Sequence, residues 1–202
     1  MPLKQKEENV MGNLYNNYLF IAIESYPYEL EKAVEALNYA LAYEPDNVKA
    51  LCLMARVYSE QLSDYETAKV YYEKALASNM GIREIYPDYI RLLINNEDFD
   101  EAEKLIDFAF TIKGVGKANI FLAQATLYEA TLEFEKAVTA LNEAKMYGLN
   151  NDFYNYIDNE ISRVNKKNKM QKNKAFEEKK TPEKEVKKVD KGWFKNRLNN
   201  LL

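Results

Sequence analysis

The sequence has no histidine, and Cys52 is the one cysteine among 202 residues. Without histidine, no Ser-His-Asp or Cys-His nucleophile can be assembled within the chain. A lone thiol forms no internal disulfide, and with no histidine beside it there is no His/Cys zinc site. That pattern suits a reducing compartment. Glycine and proline are scarce, at six and five, and no Gly-rich phosphate loop is present. No apolar run approaches the ~18 residues of a membrane span. The stretch Tyr18-Leu19-Phe20-Ile21-Ala22-Ile23 ends at Glu24 without a small-residue cleavage site, and residues 1–12 are polar, so no secretory signal is read. The expected location is the cytoplasm. Carboxylate pairs such as Glu101 with Glu103 carry no signal in a chain with 32 Asp+Glu. No enzymatic activity, cofactor or metal is expected.

What the chain does have is 47% hydrophobic residues, enough for a sizeable core, and a repeat. Pro45, Gly81, Gly114 with Gly116, and Gly148 punctuate the sequence at nearly even intervals, the kind of period that marks repeat architectures. Four segments align between them: Ala33/Leu37/Ala40, Ala68/Tyr72/Ala75, Ala102/Ile106/Ala109 and Ala137/Leu141/Ala144. The spacing i, i+4, i+7 is one helical face. Small residues at two of its three places let another helix approach closely. A second helical pattern precedes each set: Leu51/Met54/Ala55/Tyr58, Tyr86/Tyr89/Ile90/Leu93 and Phe121/Gln124/Ala125/Tyr128, with Tyr18/Ile21/Ala22/Ser25 as the first, more degenerate copy. Ser63 with Glu66, and Asp98 with Glu101, have the spacing of capping boxes between the paired helices. Pro27 breaks the first pair at the same place. The second unit carries one extra residue in its turn. Pro87 predicts a late start or a kink in the first helix of the third unit.

These residues resemble the tetratricopeptide repeat: a large residue, Leu, a small residue and an aromatic in the first helix, then Ala, an apolar residue and Ala in the second, with Pro45 at the family's closing proline. Four units are read, at about 14–47, 48–82, 83–117 and 118–150. Phe153, Ile157, Ile161 and Val164 form one further apolar stripe, so 151–165 is expected to cap the stack. The resemblance implies an all-α, right-handed superhelical solenoid over 14–165, after a disordered segment 1–13. It also implies a concave groove lined by the first helices that holds a peptide or helix of a protein partner. The family's groove positions fall here on Lys49, Cys52, Arg56, Ser59 and Glu60 in the second unit. They fall on Glu84, Arg91, Ile94 and Asn95 in the third, and on Asn119, Leu122, Thr126 and Glu129 in the fourth. The Lys/Asn carboxylate clamp of chaperone-docking members is missing, since Cys52 with Arg56 and Pro87 with Arg91 stand in its places. Neutralising neighbouring carboxylates is the simpler role for either arginine. Most of the 16 tyrosines fall on the repeat pattern and read as packing residues; Tyr43, Tyr71 and Tyr147 lie off it. Cys52 reads as a small groove or core residue whose pKa Arg56 would lower somewhat.

The charge is divided. The formal net charge is −4, but residues 164–202 hold 13 Lys+Arg against 5 Asp+Glu, a net of +8, leaving −12 on residues 1–163. Asymmetry of this kind points to an interaction tail. Residues 166–190, rich in Lys, Asn and Glu, read as a charged flexible linker. Residues 191–202 read as a short amphipathic helix, with Phe194, Leu198, Leu201 and Leu202 on one arc, Lys195 on the other face, and Trp193 beside Arg197. This end looks like the C-terminal membrane-targeting helices of the bacterial actin-like division protein and the Min-system ATPase. It implies reversible attachment to an anionic membrane surface. Docking of the tail on a partner or on the chain's own groove is the alternative, in a soluble chaperone-like or assembly-factor protein. Nucleic acid ranks third because the body's charge opposes it.

Overall fold

The computed structural model describes residues 17–180, with side chains through Glu177. The described residues are helical with no strand. Helix α1 covers 17–25. It is followed by α2 (Leu30–Tyr43), α3 (Val48–Arg56), α4 (Tyr65–Ser78), α5 (Ile85–Asn95), α6 (Phe99–Thr111), α7 (Lys117–Ala130), α8 (Phe134–Met146) and α9 (Asn151–Lys180). Contacts divide the chain into two compact units between Asn165 and Lys166.

The first unit is a stack of helical hairpins: α1 with α2, α3 with α4, α5 with α6, and α7 with α8. The alanine pattern explains the stacking. Ala33, Ala40, Ala68, Ala75, Ala102, Ala109, Ala137 and Ala144 have no exposed surface at all. With a methyl group at each place, backbones come close and larger neighbours fill the space on either side. Those neighbours form three successive cores. Leu37 and Met54 centre the first, Tyr72, Tyr86, Ile90 and Ile106 the second, and Leu141, Ile157 and Val164 the third. Each such side chain contributes about 1.5–3 kcal/mol by leaving water. The pattern tyrosines serve as expected: Tyr72 stacks on Tyr89 at 5.2 Å between ring centres, and the Tyr86 hydroxyl donates to the Met80 carbonyl at 2.6 Å.

Local signals were resolved differently from the expected capping boxes. Helix α4 is capped by Asp64, whose carboxylate accepts from the Thr67 N–H at 3.1 Å, while Ser63 sits at φ 54°. At α6 the Asp98 carboxylate makes no cap. It accepts instead from Lys69 at 3.2 Å and Asn96 at 2.8 Å, because Lys69 of the preceding unit offers a charged donor. The Glu101 hydrogen bond raises the Lys69 ammonium's pKa, burial opposes it, and the Asp98 hydrogen bond adds to the rise. Ser63, Glu97 and Leu132 all take positive φ at the turn between the two helices of a unit. The following N–H donates back to the first helix each time: Asp64 to Tyr58, Asp98 to Leu93 and Glu133 to Tyr128. The extra residue of the second unit is absorbed in a π turn at Val57–Gln61, a wider coil that accommodates one residue without shifting the face that follows. Pro87 lies in the first turn of α5, where its missing N–H costs no helical bond.

Helix α9 closes the stack through Ile157 and Val164, with Phe153 and Ile161 half-buried beside them. It does not end at 165. Residues 166–180, expected as flexible linker, are helical. No glycine or proline lies between Gly148 and Pro182, and the Lys, Gln, Glu, Ala and Met there are good helix formers. This second unit has no buried side chain through Glu177, consistent with its composition. The expected N-terminal segment 1–13 and the amphipathic helix 191–202 lie outside the described residues. So do Trp193, Phe194, Lys195, Arg197, Leu198, Leu201 and Leu202.

Candidate functional site: a cleft on the first helices

A cleft of about 840 Å³ opens between α1, α3 and α5. It opens where α3 and α5 stand apart while α4 packs against both, whereas α5 and α7 touch directly. Its floor is apolar, built from Val48, Leu53, Ile82, Ile85 and the ring of Tyr72, with Cys52 among them. Ile23, Tyr26 and Pro27 form the edge nearest the chain's start. Lys49, Arg56, Glu60, Glu84 and Asp88 supply the charge. A smaller cleft of about 300 Å³ adjoins it, lined by Ser59, Glu60, Asp88, Arg91 and Asn95 among others.

Glu60 is the shared group. The π turn carries it to where three donors from three units meet. The Tyr26 hydroxyl donates to one carboxylate oxygen, and Arg56 (3.4 Å) and Arg91 (3.2 Å) reach the other. Burial pushes the Glu60 pKa upward, but the Tyr26 hydrogen bond, Arg56 and Arg91 outweigh it and hold the carboxyl below its ordinary value. Arg56 also lies over the Tyr26 ring, 5.1 Å from its centre. Arg91 bonds Asp88 one turn before it at 3.0 Å. Both arginines therefore neutralise nearby carboxylates.

Cys52 behaves otherwise than expected. Burial, and then the Asp88 charge, push its thiol up to about 11. Arg56 does not lower it, because the guanidinium is already engaged with Glu60. The thiol is neutral at pH 7 and contributes to the floor as a small apolar group.

The expected groove residues do not all gather here. Lys49, Cys52 and Arg56 line the larger cleft, and Ser59, Arg91 and Asn95 the smaller. Ile94 points inward and is buried in the central core, since Leu92, Leu93 and Ile94 in sequence turn one side of α5 wholly into the stack. Leu122 packs against the third core, and the Thr126 hydroxyl donates to the Leu122 carbonyl at 3.0 Å. Glu129 is gripped by Arg163 of α9, with one of the two bonds at 2.6 Å. Tyr26 and Asp88 were not legible as site residues. Asp88 is off the family's groove positions, and its one signal was an arginine three residues later on the same helix.

Among the described residues, no group of three or more Cys, Asp or Glu is placed to hold a metal ion. Nor is any described helix long and apolar enough to cross a membrane.

Solved structures match this arrangement. PilF from Pseudomonas aeruginosa superposes with a TM-score of 0.67 at 17% identity, over 79% of this chain and 71% of that one. MamA from Desulfovibrio magneticus RS-1 gives 0.61 at 16% identity, over 83% and 94%, and a MamA RS-1 double mutant gives 0.57 at 17%, over 68% and 76%. Both are tetratricopeptide-repeat proteins. This is the tetratricopeptide-repeat fold. Its four repeats are the four hairpins, and the first half of α9 packs on the last of them. No family model and no curated protein matches the sequence.

Proposed function

We propose that this chain is a non-enzymatic adaptor. Its repeat stack binds a segment of a protein partner on the face of the first helices, and its basic C-terminal end holds the complex reversibly at an anionic membrane surface. The observation that carries the binding role is the cleft itself. It joins an apolar floor to charges at its rim that the fold leaves available, since Lys49 and Glu84 form no ion pair among the described residues. An apolar concavity with a few polar groups is the usual form of a binding site. Lys49, Cys52, Arg56, Ser59, Arg91 and Asn95 are the contacts proposed, with exposed Thr126 further along. The charge division of the sequence supports the second role: a basic, partly aromatic end suits anionic lipid.

Each role has its own test. A photo-crosslinking residue replacing Cys52, inside the cleft, is expected to yield a discrete protein adduct in cells, while the same residue replacing exposed Glu143 on α8 yields none. Equal adducts from both positions, or none from the cleft, would remove the binding role. Trp193 is the sole tryptophan, so its fluorescence reports on the tail alone. A blue shift is expected with anionic vesicles and not with neutral ones. No shift at low salt would remove the membrane role.

A further inference from the structure

The two long walls of the cleft carry opposite charge, and Lys49 on one and Glu84 on the other form no ion pair among the described residues. On α3, Lys49 and Arg56 lie seven residues apart, about 10.5 Å along the helix, with Cys52 and Leu53 between them. On the α5 side, Glu84 and Asp88 lie one turn apart, with Ile85 between them. One ion pair joins the two sides, Arg91 of α5 to Glu60 of the π turn that continues α3, and Lys49 and Glu84 take no part in it. The pairs present run along each wall or through Glu60: Arg56 to Glu60, Arg91 to Glu60, and Arg91 to Asp88. Lys49 and Glu84 are both exposed and without an ionic partner among the described residues. The Arg56 guanidinium bonds Glu60 through Nε alone.

From this we infer that the cleft receives an amphipathic helix of a particular charge pattern. One flank of its apolar stripe carries Asp or Glu, facing Lys49 and the terminal nitrogens of Arg56 that Glu60 leaves unbonded. The other carries Lys or Arg, facing Glu84, beside which Asp88 is held by Arg91. The inference rests on the adaptor reading and names the chemistry of its partner. A helix is required because the cleft asks for side chains in three directions: down to the floor, and out to two walls of opposite sign. Side chains of an extended strand leave in only two, alternately up and down. A helix presents an apolar stripe with two separate flanks. Turning the helix end for end exchanges its flanks, so the two walls also fix the direction in which the partner lies. A partner with like charge on both flanks meets repulsion from one wall, which is how charge gives specificity at an interface.

The test uses the full-length protein and three synthetic, fluorescently labelled helices of about 18 residues, long enough to hold helical structure. All three share a leucine stripe at i, i+3, i+4 and i+7. One has an acidic and a basic flank, one has two acidic flanks and one has two basic flanks. Anisotropy at low salt is expected to show the mixed helix binding about 10-fold more tightly than either of the others. Lys49→Glu should move the preference toward the doubly basic helix, and Glu84→Lys toward the doubly acidic one. The double swap, Lys49→Glu with Glu84→Lys, should restore preference for the mixed helix. Both residues are exposed, so these variants keep the fold. Equal binding of the three helices, no binding of any, or an order that the two single variants fail to move in opposite directions would overturn the inference. Discrete adducts from position 52 alongside equal peptide binding would leave the adaptor reading standing and remove the charge pattern.

Discussion

Two joints in the stack are each spanned by a glutamate and an arginine, and they are built differently. Between the fourth repeat and α9, Glu129 is only 15% exposed at its side chain and receives both terminal nitrogens of Arg163, while Glu160 at 2.6 Å holds the same guanidinium from its own helix. The Glu129 and then the Glu160 hydrogen bonds raise the Arg163 pKa against the burial that would lower it. Between the second and third repeats, Glu60 is 33% exposed and meets single, longer bonds from Arg56 and Arg91. A bidentate pair fixes geometry, whereas single long contacts near the surface fix little. Beneath the first joint lies a closed core; beside the second lies the cleft. The π turn that admits one extra residue at Val57–Gln61 accompanies the open joint. The same two residue types thus close the stack at its end and leave it open where a partner would enter.

The closed joint should hold the fold more firmly than the open one. Ile157 has no exposed surface and sits in the core beneath Glu129. Ile157→Ala should cost about 2–4 kcal/mol, by lost burial and the cavity left behind. Cys52→Ala, on the cleft floor, should cost less than about 1 kcal/mol. Urea unfolding of both variants measures the difference, and equal losses would refute the distinction.

The cleft floor supplies the next test. With its thiol at about 11 against an ordinary 9.0, Cys52 should be about 100-fold less ionised at pH 8 than an unperturbed cysteine, and it should react with iodoacetamide about 10-fold slower, the more basic thiolate being the better nucleophile. The rate should rise about tenfold per pH unit up to pH 10. Reaction at the rate of a free thiol would mean that the floor is wet and that Arg56 governs it after all.

These contrasts mark where sequence reading reached and where it stopped. Alanines at i and i+7 recur because close backbone approach tolerates nothing larger, so Ala33 through Ala144 disclosed the hairpins before any coordinate did. The extra residue in the second repeat was visible as a break in phase, but its conversion into a π turn was not, since either a longer loop or a wider coil absorbs one residue. The recurring left-handed turn was hidden because Ser63, Glu97 and Leu132 share no chemistry and none is glycine. The capping-box spacing at Asp98 misleads because a spacing cannot tell whether a carboxylate serves its own helix or a lysine from the preceding repeat. Lys49, Cys52 and Arg56 were legible because one helical face carries all three. Tyr26 and Asp88 were not, because they reach the cleft from a turn and from a neighbouring helix, which only tertiary packing brings together.

The glutamates themselves provide the smaller tests. Glu129→Gln should lower stability by about 1–2 kcal/mol, since a half-buried bidentate pair loses its charge and Arg163 retains only Glu160. Glu60→Gln should cost less than about 1 kcal/mol, because its partners are more exposed and solvent replaces them. The sign of its pH dependence is fixed by linkage. A carboxyl held below its ordinary 4.5 binds fewer protons when folded, so its stabilisation is complete above that value and is lost as pH falls through the depressed one. The gap between wild type and Glu60→Gln should therefore be widest near pH 7 and shrink as pH falls below 4.5. Paired urea titrations at pH 7, 5 and 3 measure it. A gap that stays constant with pH would mean that Glu60 acts through shape and its Tyr26 hydrogen bond, and that the open joint is held without its charge.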